Sequence, residues 1–224
     1  MKFLLEEKDL IWSAVVANAA MNRDRNASGI NSYEKEFKFI PAAFLEKKIA
    51  QNGYAAWLDI CCGSGWALTQ TAAILAAKGL QSKASLTGID LLDTFPPPDE
   101  NITCLQWEVR SVVNWQTPRT YDLITCSHGL HYLGDKLQTI RMAANALQPD
   151  GYFVAHLDLQ NIQVNSHGAT AKLFTGNGFS YQHRSRLISC SGPLLFDYPY
   201  TYQGADDTTG PNYTGQGAVT SYYE

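Results

Sequence analysis

Residues 57–68, Trp-Leu-Asp-Ile-Cys-Cys-Gly-Ser-Gly-Trp-Ala-Leu, constrain the fold more than any other part of the chain. An apolar run over residues 54–60 reads as a buried strand, residues 62–65 as a turn of small residues, and residues 67–77 as a helix of good helix formers. A strand, a tight turn and a helix N-terminus in succession aim backbone N–H groups at whatever approaches the turn. The glycine spacing separates the candidate ligands. A dinucleotide fingerprint wants glycine at three positions that fall here on Cys61, Gly63 and Trp66, and two of those fail. A phosphate-cradling loop needs Gly-Lys-Ser/Thr, and no lysine lies between Lys48 and Lys78. What remains is a turn that admits a ligand, backed by an acid, Asp59.

Length and charge narrow the class further. A chain of 224 residues suits one α/β domain with modest additions, and its 45% apolar and 17% charged content, with no long apolar run, is that of a soluble globular protein. Residues 1–8 lack a signal-peptide core. The five cysteines are odd in number and lie mostly in apolar runs, so they read as buried free thiols of a reducing, cytoplasmic compartment. No metal-ligand spacing emerges among them, and no metal is expected. The net charge of −4, with dispersed Lys and Arg and none after Arg186, argues against nucleic acid as a partner. Arg23, Asp24 and Arg25 read as a solvated turn.

Further elements follow in order. Residues 4–21 carry near-helical apolar spacing, residues 22–32 form a polar loop, and residues 33–51 form a second helical stretch with Pro41 at a first turn or break. Residues 84–90 read as a strand closing on Asp90, where an acid is placed to accept two hydrogen bonds from a ribose diol. Residues 95–98 are a rigid linker, and residues 102–107 a third strand. An aromatic-Asp pair, Tyr121-Asp122, opens a fourth strand that ends at Ser127, His128 and His131. A helix over 135–147 runs into a Pro-Asp-Gly turn and a fifth strand. A helix over 166–176, a sixth strand over 179–190 and a seventh over 194–202 complete the pattern. Six of the twelve tyrosines lie in residues 198–224 among Gly, Thr, Asn and Asp. That aromatic content predicts packing against the substrate pocket or a second subunit.

The segment from Leu58 to Gly65 resembles motif I of the class I S-adenosylmethionine-dependent methyltransferases, with Cys61 in place of the first glycine. Asp90 matches the family's second motif, Glu108-Val109 its third-strand acid-small pair, Tyr121 to Leu133 its fourth strand and following loop, and Leu147 to Phe153 its turn into strand five. The matches cover roughly residues 57–158. The resemblance implies an α/β three-layer sandwich with a seven-stranded, mostly parallel sheet whose last strand is antiparallel, preceded by a helical lid. The expected divisions are a lid over 1–53, a core over 54–203 and a tyrosine-rich tail over 204–224.

By the same resemblance, S-adenosyl-L-methionine is the cofactor and S-adenosyl-L-homocysteine its product. Tyr33, Asp59, Cys61, Gly63, Gly65, Asp90, Leu91, Glu108, Val109 and Ser127 are its expected contacts. The implied reaction is methyl transfer to an oxygen or nitrogen of a small-molecule acceptor. The Asn/Asp-Pro-Pro-aromatic signature of base-amino methylation is absent, and the acid that catechol methyltransferases use for magnesium is replaced by Ser127 or His128. His128, then His131, is the expected general base, since imidazole titrates near neutrality. The lid and the tail are expected to border the acceptor pocket of a monomer or homodimer that neither spans a membrane nor binds nucleic acid. The rival readings are a non-catalytic adenosyl-binding subunit and a protein methyltransferase.

Overall fold

The apolar runs assemble into a seven-stranded sheet in the computed structural model, which describes residues 4–17, 24–97, 99–113 and 115–224. The chain opens with short helices α1 (Glu7–Leu10), α2 (Ala14–Ala17) and α3 (Tyr33–Phe37), then α4 (Pro41–Asn52), β1 (Ala55–Ile60), α5 (Trp66–Ala77) and β2 (Ala84–Asp90). It continues with β3 (Leu105–Val109), β4 (Tyr121–Cys126), α6 (Lys136–Asn145), β5 (Leu147–His156), β6 (Ile162–Val164), β7 (His167–Gly168) and α7 (Ala171–Thr175). The last strands are β8 (Ser180–Gln182), β9 (Leu187–Ser191), β10 (Tyr202–Asp206) and β11 (Thr220–Tyr223). The main sheet runs β3-β2-β1-β4-β5-β9-β8. Its first five strands are parallel, and β9 reverses beside β5.

Alternation along β1 builds the three layers. Ala55 and Trp57 pack with α4 and α5 through Leu45, Ile49, Leu68 and Leu75, while Ala56, Leu58 and Ile60 pack with α6 through Leu137, Ile140 and Ala143. A central parallel strand is covered on both faces, so all six residues of β1 are buried and the segment reads as one apolar run. The strand then has to turn sharply into α5. Cys61 takes φ +54°, a conformation that costs a residue with a Cβ of the order of 1 kcal/mol, in place of the family's first glycine. Gly65, the N-cap of α5, has φ +69°, and a methyl group there would overlap the ring of Trp107, itself stacked on Phe95 at 4.4 Å.

A second sheet, of order β10-β11-β6-β7, stands beside the first. The expected core-tail boundary at residues 203/204 falls inside β10, and β11 lies between β10 and β6. The N-terminal segment joins this sheet through paired hydrogen bonds between Leu5 and Ala205, at 2.8 and 3.0 Å. The fully buried Lys136 Nζ fixes the sheet to the core by donating to Leu133 O (2.8 Å), Val219 O (2.8 Å) and Ser221 Oγ (2.9 Å).

Several expected elements differ. The single helix over 4–21 is two short turns. Residues 11–13 interrupt it where Ser13 Oγ accepts from Val16 N, and residues 18–21 lie outside the described chain, as do Arg23 and Pro98. The stretch 33–51 divides at Lys38 (φ +67°), and Pro41 starts α4. The expected helix over 166–176 shrinks to α7 behind β7. The run 179–190 is a hairpin, β8 and β9, because Arg186 takes φ +56° and turns the chain back. The reversed strand is therefore β9. Residues 194–201 form no strand, since Pro193 and Pro199 lack the donors a ladder needs. No helix among the described residues is long and apolar enough to cross a membrane.

Lys136→Met keeps the volume of the stem and removes the donors. It should cost about 2–5 kcal/mol in urea unfolding, because three buried acceptors lose their partner. A variant with wild-type stability would mean that the second sheet does not depend on this contact.

Candidate active site

A cleft with about 820 Å³ of empty space opens beyond the C-terminal ends of β1 and β2, where open α/β sheets bind ligands. Its floor is Cys61, Gly63, Asp90 and Leu91, its far wall runs from Arg110 to Val112, and Gly129, Tyr132 and Leu133 close the side after β4. The lid contributes Glu7, Leu10, Ile11 and Val16.

Asp90 braces the loop. Its Oδ2 accepts from Gly63 N (2.8 Å), and its Oδ1 accepts from Leu92 N (3.1 Å). The carboxylate thus holds the glycine turn to the end of β2 while lining the cleft. Glu7 is the other acid of the wall. Ser111 Oγ donates to its Oε1 at 3.4 Å, and its buried Oε2 has no hydrogen-bond partner. Burial pushes the Glu7 carboxyl above the usual range, against the pull of Ser111 and Lys136.

Asp59, fully buried, lies beneath the loop and outside the cleft lining. Tyr33 Oη donates to its Oδ2 (2.7 Å) and Thr125 Oγ1 to its Oδ1 (2.6 Å), while Trp57 Nε1 donates to Thr125 Oγ1 (2.8 Å). Tyr33 is thereby tied to the core. Glu108 accepts from Trp115 Nε1 (3.1 Å), and Val109 is 53% exposed. Neither lines the cleft; the neighbouring Arg110, Ser111 and Val112 do. Ser127 is buried, its Oγ without a hydrogen-bond partner.

The loop after β4 divides its residues between two sides. Gly129 faces the cleft and packs so closely on Cys61 that a methyl group would not fit. His128, at φ +59°, is 5% exposed and points instead to a second cluster. Its ring stacks on that of His156 at 3.9 Å and 7°, and both Nε2 atoms approach Glu36 Oε2, at 3.5 Å for His128 and 2.8 Å for His156. Arg25 pairs with the other oxygen, Oε1, of Glu36. Burial raises the Glu36 pKa, but the contacts with His128, His156 and Arg25 outweigh it and hold the carboxyl well below the usual range. Burial lowers His156 to about 4 despite Glu36. His131 is fully buried, both ring nitrogens lack partners, and burial holds its pKa well below the usual value. Tyr213 covers the cluster, 5.5 Å from the His131 ring and 6.3 Å from that of His128. Asp158 Oδ2 holds Tyr213 N at 2.8 Å.

Sequence reading missed Glu7, Glu36, His156 and Tyr213 as site residues. Glu36 and His156 lie on separate elements far apart in the chain, so no local spacing marks them. The tyrosine-rich composition pointed to Tyr213 only as part of a segment.

A methyltransferase-domain family matches residues 23–189, three quarters of the chain, and the chain belongs to that family. No curated protein matches it. Among solved structures it is similar to the N-methyltransferase NodS from Bradyrhizobium japonicum WM9, in complex with S-adenosyl-L-homocysteine, at 15% identity and a TM-score of 0.40, covering 67% of this chain and 84% of that one. An S-adenosylmethionine-dependent methyltransferase from Mesorhizobium loti is similar at 18% identity and a TM-score of 0.38, covering 75% and 67%. The sugar N-methyltransferase KedS8 from Streptoalloteichus sp ATCC 53650 is similar at 18% identity and a TM-score of 0.36, covering 51% and 46%.

Asp59 generates a pH prediction. Burial raises its carboxyl from 3.8 to about 7, against the Thr125 and Tyr33 hydroxyls, with the charge of Asp90 adding to the rise. The folded value lies above the unfolded one, so the native state retains a proton that the unfolded chain releases between these values. The contribution is full below 3.8 and is lost as pH rises to about 7. Melting curves of Asp59→Asn and wild type should therefore diverge in favour of the variant across that window. A constant difference would show that Asp59 is ionised throughout.

Proposed function

We propose that the protein is an S-adenosylmethionine-dependent methyltransferase acting on an oxygen or nitrogen of a small molecule. The observation that carries this reading is the cleft itself: an acid at the end of β2 braces the glycine turn that lines it, and Glu7 of the N-terminal segment lines it too. Family membership supports the reaction class. The cover of Leu10, Ile11 and Val16 favours a small acceptor over a protein surface.

The cofactor, when bound, supplies a methyl group activated on a sulfonium. Asp90 accepts hydrogen bonds from the ribose hydroxyls, the turn of Cys61, Gly63 and Gly65 receives the amino-acid portion, and Leu91 with Val112 flanks the base. Asp59 and Tyr33 act from beneath, by fixing the end of β1 through Thr125. Glu108, Val109 and Ser127 shape the strands behind this site. The lid excludes water and presents the acceptor. Glu7 takes the acceptor's proton, a role assigned to it over His128 and His131 because Glu7 lines the cleft and the two histidines do not.

Two measurements test this reading. Asp90→Ala should weaken S-adenosylhomocysteine binding by about 1.5–3 kcal/mol in calorimetry, the range for a hydrogen bond to a charged group. Unchanged affinity would sink the ribose assignment. Glu7→Gln should lower kcat by about 10² to 10⁴ with cofactor affinity retained. Because burial raises the Glu7 carboxyl above 4.5, the acidic limb of kcat/KM should lie above that value in the wild type and vanish in the variant. Wild-type turnover in Glu7→Gln would return the base role to His128 or His131.

A further inference from the structure

We propose that Glu36, His128 and His156 form a binding site for one divalent transition-metal ion of the zinc class. The three residues come from α3, the loop after β4 and the end of β5, and their ligand atoms lie within 4.8 Å of one another. Both histidines are buried, at 5% and 3% exposure, and both direct Nε2 at the same carboxylate oxygen.

The distances separate a metal site from plain hydrogen bonding. An N–H···O bond spans about 2.7–3.2 Å. The His156 contact at 2.8 Å satisfies that range, but the His128 contact at 3.5 Å exceeds it. Two ligands with bonds of about 2.1 Å to one ion sit roughly 3.0 Å apart at octahedral angles and roughly 3.4 Å apart at tetrahedral ones. The observed pair of separations brackets those values, and a tilt of the two stacked rings toward each other would bring both imidazoles onto one ion. At 3.9 Å and 7°, two imidazoles pointing the same way place like dipole ends side by side, and a cation in front of both Nε2 atoms offsets that repulsion.

The carboxylate is shared in the manner of a metal ligand. Arg25 holds Oε1 of Glu36, which orients the group and leaves Oε2 to the histidines. Ligating carboxylates are commonly fixed in this way by an outer hydrogen bond. Two nitrogens and one oxygen suit zinc and its first-row neighbours, whereas magnesium and calcium prefer oxygen alone. Three protein ligands leave a coordination position for water or a small ligand beneath Tyr213. The ion would also lock His128, and with it Gly129, at the wall of the cleft.

Chelator-treated, dialysed full-length protein should bind one Zn²⁺ per chain in calorimetry, give a visible ligand-field band with Co²⁺, and show no saturable binding of Mg²⁺. Glu36→Gln and His156→Asn should each weaken Zn²⁺ binding by more than about 100-fold, beyond the usual effect of losing an outer-shell partner. His167→Asn, at an exposed histidine remote from the cluster, should bind as the wild type does. Absence of Zn²⁺ binding, or binding that survives both Glu36→Gln and His156→Asn, would overturn the proposal. Should either variant fail to fold, the wild-type Co²⁺ spectrum decides, since a band without nitrogen ligation also overturns it. S-adenosylhomocysteine binding, measured on the same samples, separates this site from the methyl-transfer reading: either can fail while the other stands.

Discussion

An ammonium buried out of reach of water needs three acceptors, and at Lys136 the chain supplies them from three places. The carbonyl of Leu133 comes from the loop after β4, that of Val219 from the residue just before β11, and the hydroxyl of Ser221 from β11 itself. Burial lowers Lys136 to about 7, while Glu7, Asp135 and Asp158 pull the other way. The same neighbourhood is closed by Tyr223, whose hydroxyl accepts from Leu137 N and donates to Asp135 Oδ1, both at 3.0 Å. A terminal segment that resembles a loose tail in composition is therefore a structural strand. The second sheet in turn seats the N-terminal segment through Leu5 and Ala205, and that segment brings Glu7 to the cleft. The catalytic geometry proposed for the N-terminus thus depends on a charge satisfied at the C-terminus.

The sheet edge imposes the complementary constraint. A parallel sheet leaves its C-terminal edge populated by turns, and the turn after β1 is held in a strained form by two acids of different kinds. Asp90, partly exposed, accepts backbone N–H groups and lines the cleft. Asp59, fully enclosed, accepts only hydroxyls and carries a raised pKa. Two successive motifs place them, at the end of β1 and the end of β2, and burial gives them different surroundings. An acid surrounded by apolar strands and neutral donors is costly to ionise.

What the sequence made legible follows the range of the interactions. The strand-turn-helix at residues 55–77 and the strand ending at Asp90 depend on local runs and glycine chemistry, and they lie where expected. The fourth strand and the helix capped by Asp135 were legible for the same reason, whereas the Pro-Asp-Gly expected as a turn ahead of the fifth strand lies inside β5 as an irregularity in its pairing with β4. The β8–β9 hairpin was not, because its signal is a positive φ at Arg186, a residue type with no special turn propensity. Nor was the second sheet, since β6 has three residues and pairs with a strand near the end of the chain. Short strands of this kind gain their stability from long-range partners that periodicity does not reveal. The candidate site divides similarly: Asp90, Leu91, Cys61 and Gly63 come from motifs, while Glu7, Glu36 and His156 come from tertiary contact.

The loop after β4 explains why two polar centres can lie so close without merging. Its backbone passes between them, with Gly129 pressed on Cys61 at the cleft and His128 turned to Glu36 on the far side. The positive φ of His128 reverses the side chain relative to its neighbours, a conformation maintained because the ring is stacked and its nitrogen faces an anion. The cleft presents Glu7, Asp90 and Arg110 among mostly apolar lining residues, while the stacked His128 and His156 rings sit on the far side of the loop. Any movement of His128 must move Gly129, and Gly129 has no room to move toward Cys61. The two centres are thus mechanically linked through one residue pair, even though no side chain of the histidine cluster enters the cleft.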